Sequence, residues 1–204
     1  WTVSTAMTAT MTTQPLVSED GKPLVAYHLV RWHLAAAMIS LIISMSAGFL
    51  YSLQFLGYFP FPESEIFSPG HFRLIHTNMA AYGWLVNGFT AMCYYVIPRL
   101  TGYRVWSAKL GDLIFVVWQF ILLATIGGLL MGKAQAIEWG ETPTGFRPGS
   151  FDMNWIPVDL LVAVGAVLLI AQLMVPIFKA RDQKFYVTLW YFTAGLIWLA
   201  LTYL

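Results

Sequence analysis

The sequence predicts an all-α protein, a polytopic bundle of five transmembrane helices, and three observations carry that expectation. Of 204 residues, 58% are hydrophobic and only 10% charged, more apolar surface than a soluble domain of this size can bury. Five apolar runs are each long enough, at about 20 residues, to cross about 30 Å of hydrocarbon. The basic residues are also divided unevenly among the loops between those runs. A net charge of +1 gives no electrostatic reason to expect a nucleic-acid partner.

In chain order, residues 1–24 are polar and Thr-rich, without the apolar stretch of a signal peptide, and read as a disordered cytoplasmic tail. Residues 25–204 form the membrane domain, with spans expected at roughly 33–57, 74–97, 109–131, 156–178 and 185–204. The chain opens on Trp1, with Met7 and Met11 following, and its last run reaches Leu204, so a fragment or a split subunit is expected. With the N-terminus inside, Lys22, Arg31, Arg99, Arg104, Lys109, Lys179, Arg181 and Lys184 are cytoplasmic, and only Arg73, Lys133 and Arg147 lie outside. Eight against three places the N-terminus in the cytoplasm under the positive-inside rule. Pro98 and Pro176 fall near the ends of the second and fourth runs, where they do not break a helix centre. Asp112 and Asp159, near the starts of the third and fourth, suit the positive end of a helix dipole. Cys93 is alone within the second run, forms no internal disulfide and says nothing about compartment.

The most informative residue is His76, in Arg73-Leu74-Ile75-His76-Thr77-Asn78 at the head of the second run. A ring nitrogen at membrane depth must be satisfied by protein, water or metal, so intramembrane histidines lean towards function, and haem iron is the leading candidate. At helical spacing Arg73, His76, Ala80, Gly83 and Asn87 share one stripe. Ala80 and Gly83 below the histidine would let a flat macrocycle approach the backbone, and Arg73 one turn nearer the surface would pair with its propionates. The competing reading is a tight helix crossing at Ala80 and Gly83, with His76 hydrogen-bonded to a neighbouring helix. His71 is too close in sequence to reach the other face of the same iron, and His28 and His33 lie by the opposite membrane surface. The nine Met residues read as packing filler, so the second axial ligand is expected outside these 204 residues.

A second cluster, Glu138-Trp139-Gly140-Glu141, follows the third run on the same side as Arg73 and His76. Two carboxylates three residues apart are candidates for a Ca²⁺ site, and such an ion would also neutralise nearby propionates. A solvated acidic loop is the plainer alternative.

These residues resemble the catalytic subunit of haem-copper oxidases, specifically its cbb-type cytochrome c oxidase branch. Arg73 to Asn78 matches that branch's Arg-x-x-His-Thr-Asn element, Glu138 to Glu141 its Glu-aromatic-small-Glu element, and Trp155-Ile156-Pro157-Val158-Asp159 the opening of its fourth helix. The resemblance covers about residues 30–204 and implies the first five helices of a twelve-helix fold. It further implies that His76 is an axial ligand of low-spin haem b, that Arg73 approaches the propionates, and that a glutamate of the loop binds a structural calcium. The high-spin haem, the copper ligands and the second low-spin ligand would belong to later helices. Residues 142–154 look like an insertion, suited to a contact with a neighbouring subunit. The implied role is to hold haem b near the outer face of a bacterial inner membrane, where electrons pass from a membrane-anchored cytochrome c subunit towards an oxygen-reducing haem-copper centre. That centre would be built by the remaining helices or a companion chain. Nitric oxide reductases share both motifs and are the alternative enzyme; a non-catalytic scaffold, with His76 a packing residue, is the alternative class.

Overall fold

A computed structural model describes residues 17–18, 21–131, 158–181 and 186–203. Its helices are α1 (Tyr27–Leu53), α2 (Pro69–Asn78), α3 (Val86–Thr101), α4 (Ala108–Leu130), α5 (Val158–Lys179) and α6 (Val187–Tyr203). A 3₁₀ turn, Gln54–Leu56, extends α1, and a π-helical stretch, Met79–Leu85, joins α2 to α3 without a break. Among the described residues there is no strand, only an isolated bridge between Val17 and Pro23.

Local chemistry sets the ends of these helices. Ser68 caps α2 by accepting the His71 N–H, and Pro69 follows at the first helical position, where its missing donor costs nothing. Ser107 caps α4 by accepting the Leu110 N–H. Asp112 lies beyond that first turn and does not cap; it accepts instead from His28 Nε2 on α1 at 2.9 Å. Gly102 ends α3 at φ +75°, a left-handed conformation that a Cβ would strain.

α1 and the continuous rod from α2 to α3 form an antiparallel pair, since Ser44 meets His76, Ser40 meets Gly83 and His33 meets Asn87. The inward stripe of α1 is Leu29, His33, Ala37, Ser40, Ser44 and Ala47, at spacings of three and four. Its outward face leaves Ile39, Ile42, Met45 and Phe49 59–64% exposed, a surface suited to hydrocarbon and not to water. α4 packs on α5 and α1, and α6 packs on α5 and α3. Buried Gln172 of α5 ties down the turn before α4: its Nε2 donates to Ser107 O at 2.6 Å and its Oε1 accepts the Ser107 N–H at 3.1 Å.

Among the described residues, three helices have the length and apolar character to cross a membrane: Tyr27–Leu56, Ala108–Leu130 and Leu161–Lys179. The second apolar run is split by the π stretch into segments of 10, 7 and 16 residues, and α6 has 17. The protein is thus an all-α, multi-helix, membrane-associated bundle. The first two helical rods start at Tyr27 and Pro69, earlier than the apolar runs, because backbone hydrogen bonding continues through polar residues that hydropathy does not register.

Candidate functional site

His76 lies on the last turn of α2, half-buried, with its ring against α1. Its Nδ1 sits 2.8 Å from the Ser44 carbonyl and 3.2 Å from Ser44 Oγ, while Ser44 Oγ donates to the His76 carbonyl at 2.9 Å. A carbonyl only accepts, so Nδ1 carries the proton and Nε2 is the bare lone pair. This is the arrangement of a metal-binding imidazole, in which a bond at one nitrogen fixes the ring and presents the other. The ring fits because residue 48 is glycine: a Cβ there would stand 2.6 Å from Nδ1 and 2.9 Å from Cε1.

The contact below His76 is equally tight. Gly83 is buried, and a Cβ on it would stand 2.6 Å from Ser40 Cβ and 2.5 Å from Met79 Cε. Gly83 therefore lets α1 close against the second rod, and Ala80 beside it is half-buried. Arg73 is exposed on the turn above His76. The π stretch between Met79 and Leu85 falls within the five-residue stripe, yet His76, Gly83 and Asn87 all meet α1.

That π stretch recruits side-chain donors. The Val86 N–H bonds to Ala81 O, five residues back, which bypasses Tyr82 O. Trp118 Nε1 of α4 donates to Tyr82 O at 3.3 Å, and Asn87 Nδ2 donates to Gly83 O at 2.7 Å. In hydrocarbon, carbonyls displaced from the helical ladder need such partners.

Asn87, expected on the haem stripe, anchors a second cluster, in which it, His33 and Tyr94 are buried and Phe115 and Gln119 half-buried. Its Oδ1 accepts from Gln119 Nε2 at 3.0 Å and from His33 Nδ1 at 2.8 Å. The His33 ring stacks on Tyr94 at 5.7 Å and meets the edge of Phe115 at 4.9 Å. Since Asn87 Oδ1 is an acceptor, His33 Nδ1 is protonated; its Nε2 is buried without a hydrogen-bond partner among the described residues.

The other histidines are placed elsewhere. His71 Nδ1 donates to Ile66 O at 2.8 Å, and His28 pairs with Asp112 at the N-terminal end of α1. Glu138, Glu141, the Trp155-to-Pro157 element, the 142–154 segment and most of the expected N-terminal tail lie outside the described residues. Among the described residues no group of three His, Cys, Asp or Glu side chains converges as a metal cluster, so His76 is the site's one candidate ligand there. Ser44, Gly48 and the His33 cluster were not read from the sequence. The signal for the first two was the small-residue stripe Ala37, Ser40, Ser44, Ala47 and Gly48 on α1, which only a known neighbour turns into a histidine cradle.

A membrane bundle with an oriented imidazole at one end of a helix pair defines the class. Residues 28–204 match the family described as cytochrome c and quinol oxidase polypeptide I, and the chain belongs to that family. It is 23% identical over 175 residues to cytochrome c oxidase subunit 1 of Rhodobacter capsulatus, a match covering 85% of this chain and 29% of that protein. It is 21% identical over 179 residues to a cytochrome c oxidase subunit 1 homolog of Agrobacterium tumefaciens (strain T37), covering 86% and 30%. The chain thus spans about three-tenths of the length of the curated relatives it matches.

Proposed function

We propose that this chain is the haem b-holding portion of the catalytic subunit of a respiratory haem-copper oxidase of the cbb type. The observation that carries the reading is the Ser44–His76 contact, which protonates Nδ1 and leaves Nε2 as a free donor to iron. Family membership over residues 28–204 supports it. The haem would supply a one-electron carrier. The chain's own residues do the rest: His76 ligates, Ser44 holds the ring plane, Gly48 gives it room, and Arg73 is the cation for the propionates. Ala80 would keep the helix slim where the macrocycle would lie, while Gly83, closed over by Ser40, serves the site by admitting α1 and with it Ser44.

In this reading the five helical rods all span, as part of a twelve-helix fold, in a bacterial inner membrane with the N-terminus cytoplasmic. Glu138 and Glu141 would bind calcium on the outer side near Arg73. Electrons would enter from a membrane-anchored cytochrome c and leave for an oxygen-reducing centre on other helices of the catalytic subunit.

The test is a reduced-minus-oxidised visible spectrum of the assembled complex, beside the same complex carrying His76→Ala. Loss of the low-spin b-type band from an intact assembly is the expected result. An unchanged band would make His76 structural and return the chain to the scaffold reading.

A further inference from the structure

A cleft of about 510 Å³ runs between α1 and α4 on the outside of the bundle. Trp32, Ala35, Ala36 and Ile39 belong to its α1 wall, and Val116, Leu123 and the half-buried Gln119 to its α4 wall. Ala35 and Ala36 create it, because larger residues there would close α1 on α4. The two helices run parallel at this seam: His28 bonds Asp112 at its lower end, and the lining continues from Trp32 and Phe115 up to Ile43 and Ile126. From residue 32 to residue 43, at 1.5 Å per residue, the cleft is about 16 Å long. That equals one leaflet, half of a hydrocarbon core of about 30 Å.

The chemistry at the lower end differs from that of the walls. Arg31 lies one turn below Ala35 on α1, and Lys109 lies one turn below Asp112 on α4. Both are exposed and lie one turn from the His28–Asp112 pair, and Trp32 packs edge-on against His28, an aromatic of the kind found at lipid headgroups. A largely apolar channel one leaflet long, whose mouth carries two cations against the single carboxylate of Asp112, has the form of a diacyl lipid with an anionic headgroup.

We propose that this seam is a binding site for one anionic phospholipid, its phosphate between Arg31 and Lys109 and one acyl chain in the cleft along Ala35 and Ala36. The inference requires that α1 and α4 be membrane-embedded and does not depend on His76 binding haem. The lipid would hold the parallel α1–α4 seam together from outside, as Asn87 does from inside.

The test is native mass spectrometry of the detergent-purified complex containing this chain, titrated with phosphatidylglycerol or phosphatidylcholine. Wild type is expected to retain phosphatidylglycerol preferentially, with each cation contributing about fivefold. Arg31→Gln with Lys109→Gln is expected to reduce retention to the phosphatidylcholine level. Ala35→Leu with Ala36→Leu, which fills the cleft and keeps the charges, is expected to weaken binding of both lipids. Equal retention of the two lipids by wild type would overturn the site, as it would if a protein helix covered the seam. Undiminished phosphatidylglycerol retention in either double variant would overturn it as well.

Discussion

The two histidine contacts between α1 and the second helical rod use the same elements to opposite ends. At His76 the bond is to a backbone carbonyl, and the ring sits half-buried near the end of the helix pair with Nε2 presented. At His33 the bond is to a side chain, Asn87, and the ring is only 2% exposed, closed in by Tyr94 and Phe115. Backbone anchoring orients an imidazole without demanding a further side chain, so the ring remains available to a ligand. Side-chain anchoring locks three helices together through Asn87, because Gln119 shares the same oxygen. In the proposed reading one contact holds a cofactor, and the other holds the bundle.

That contrast can be broken from the His76 side first, since the largest expected effect is there. His76→Ala should abolish the low-spin band, as read by the difference spectrum, while assembly on a native gel is kept. Gly48→Leu comes next: a branched side chain in the space of the His76 ring must displace the ring or α1. Overpacking of this kind costs about 1–3 kcal/mol, and the haem band should broaden or fall before the complex dissociates.

The opposite pattern is expected at the second cluster. Asn87→Leu strands buried His33 Nδ1 and removes the Asn87 bonds to half-buried Gln119 Nε2 and to the Gly83 carbonyl. Unsatisfied buried groups cost about 1–3 kcal/mol each, so the thermal unfolding midpoint should drop with the haem band intact in whatever remains folded. If the band disappeared at temperatures where the complex is still assembled, the division of labour between the two histidines would fail. Ser44→Ala should have the smallest effect, because the carbonyl that takes the Nδ1 proton belongs to the backbone and survives. Only the hydroxyl bond to His76 O is lost, about 0.5–1.5 kcal/mol, with the spectrum nearly unchanged. A large spectral change would show that Ser44 Oγ, and not the carbonyl, orients the ring.

Apolar runs were legible along the chain because they are local, and Pro98 falls near the end of α3 by its own geometry; the Ser68 and Ser107 caps are as local but went unread. The prominence of His76 was also legible, since an imidazole among apolar neighbours has few ways to be satisfied. For Asp112 the sequence suggests only the helix dipole, because its partner, His28, is 84 positions away, and position within a helix says nothing about a neighbour. Gln172 was passed over for the same reason: one buried amide in an apolar helix has no meaning until the Ser107 turn is laid against it.

What the sequence determined by itself was the solvent and the class, an all-α membrane protein, because composition and run length respond only to the hydrophobic effect and the thickness of a bilayer. What only the tertiary structure decided was which nitrogen of His76 is free, that Gly48 and Gly83 are clearances for α1, and that Asn87 is bonded to His33. Those depend on contacts between residues tens of positions apart.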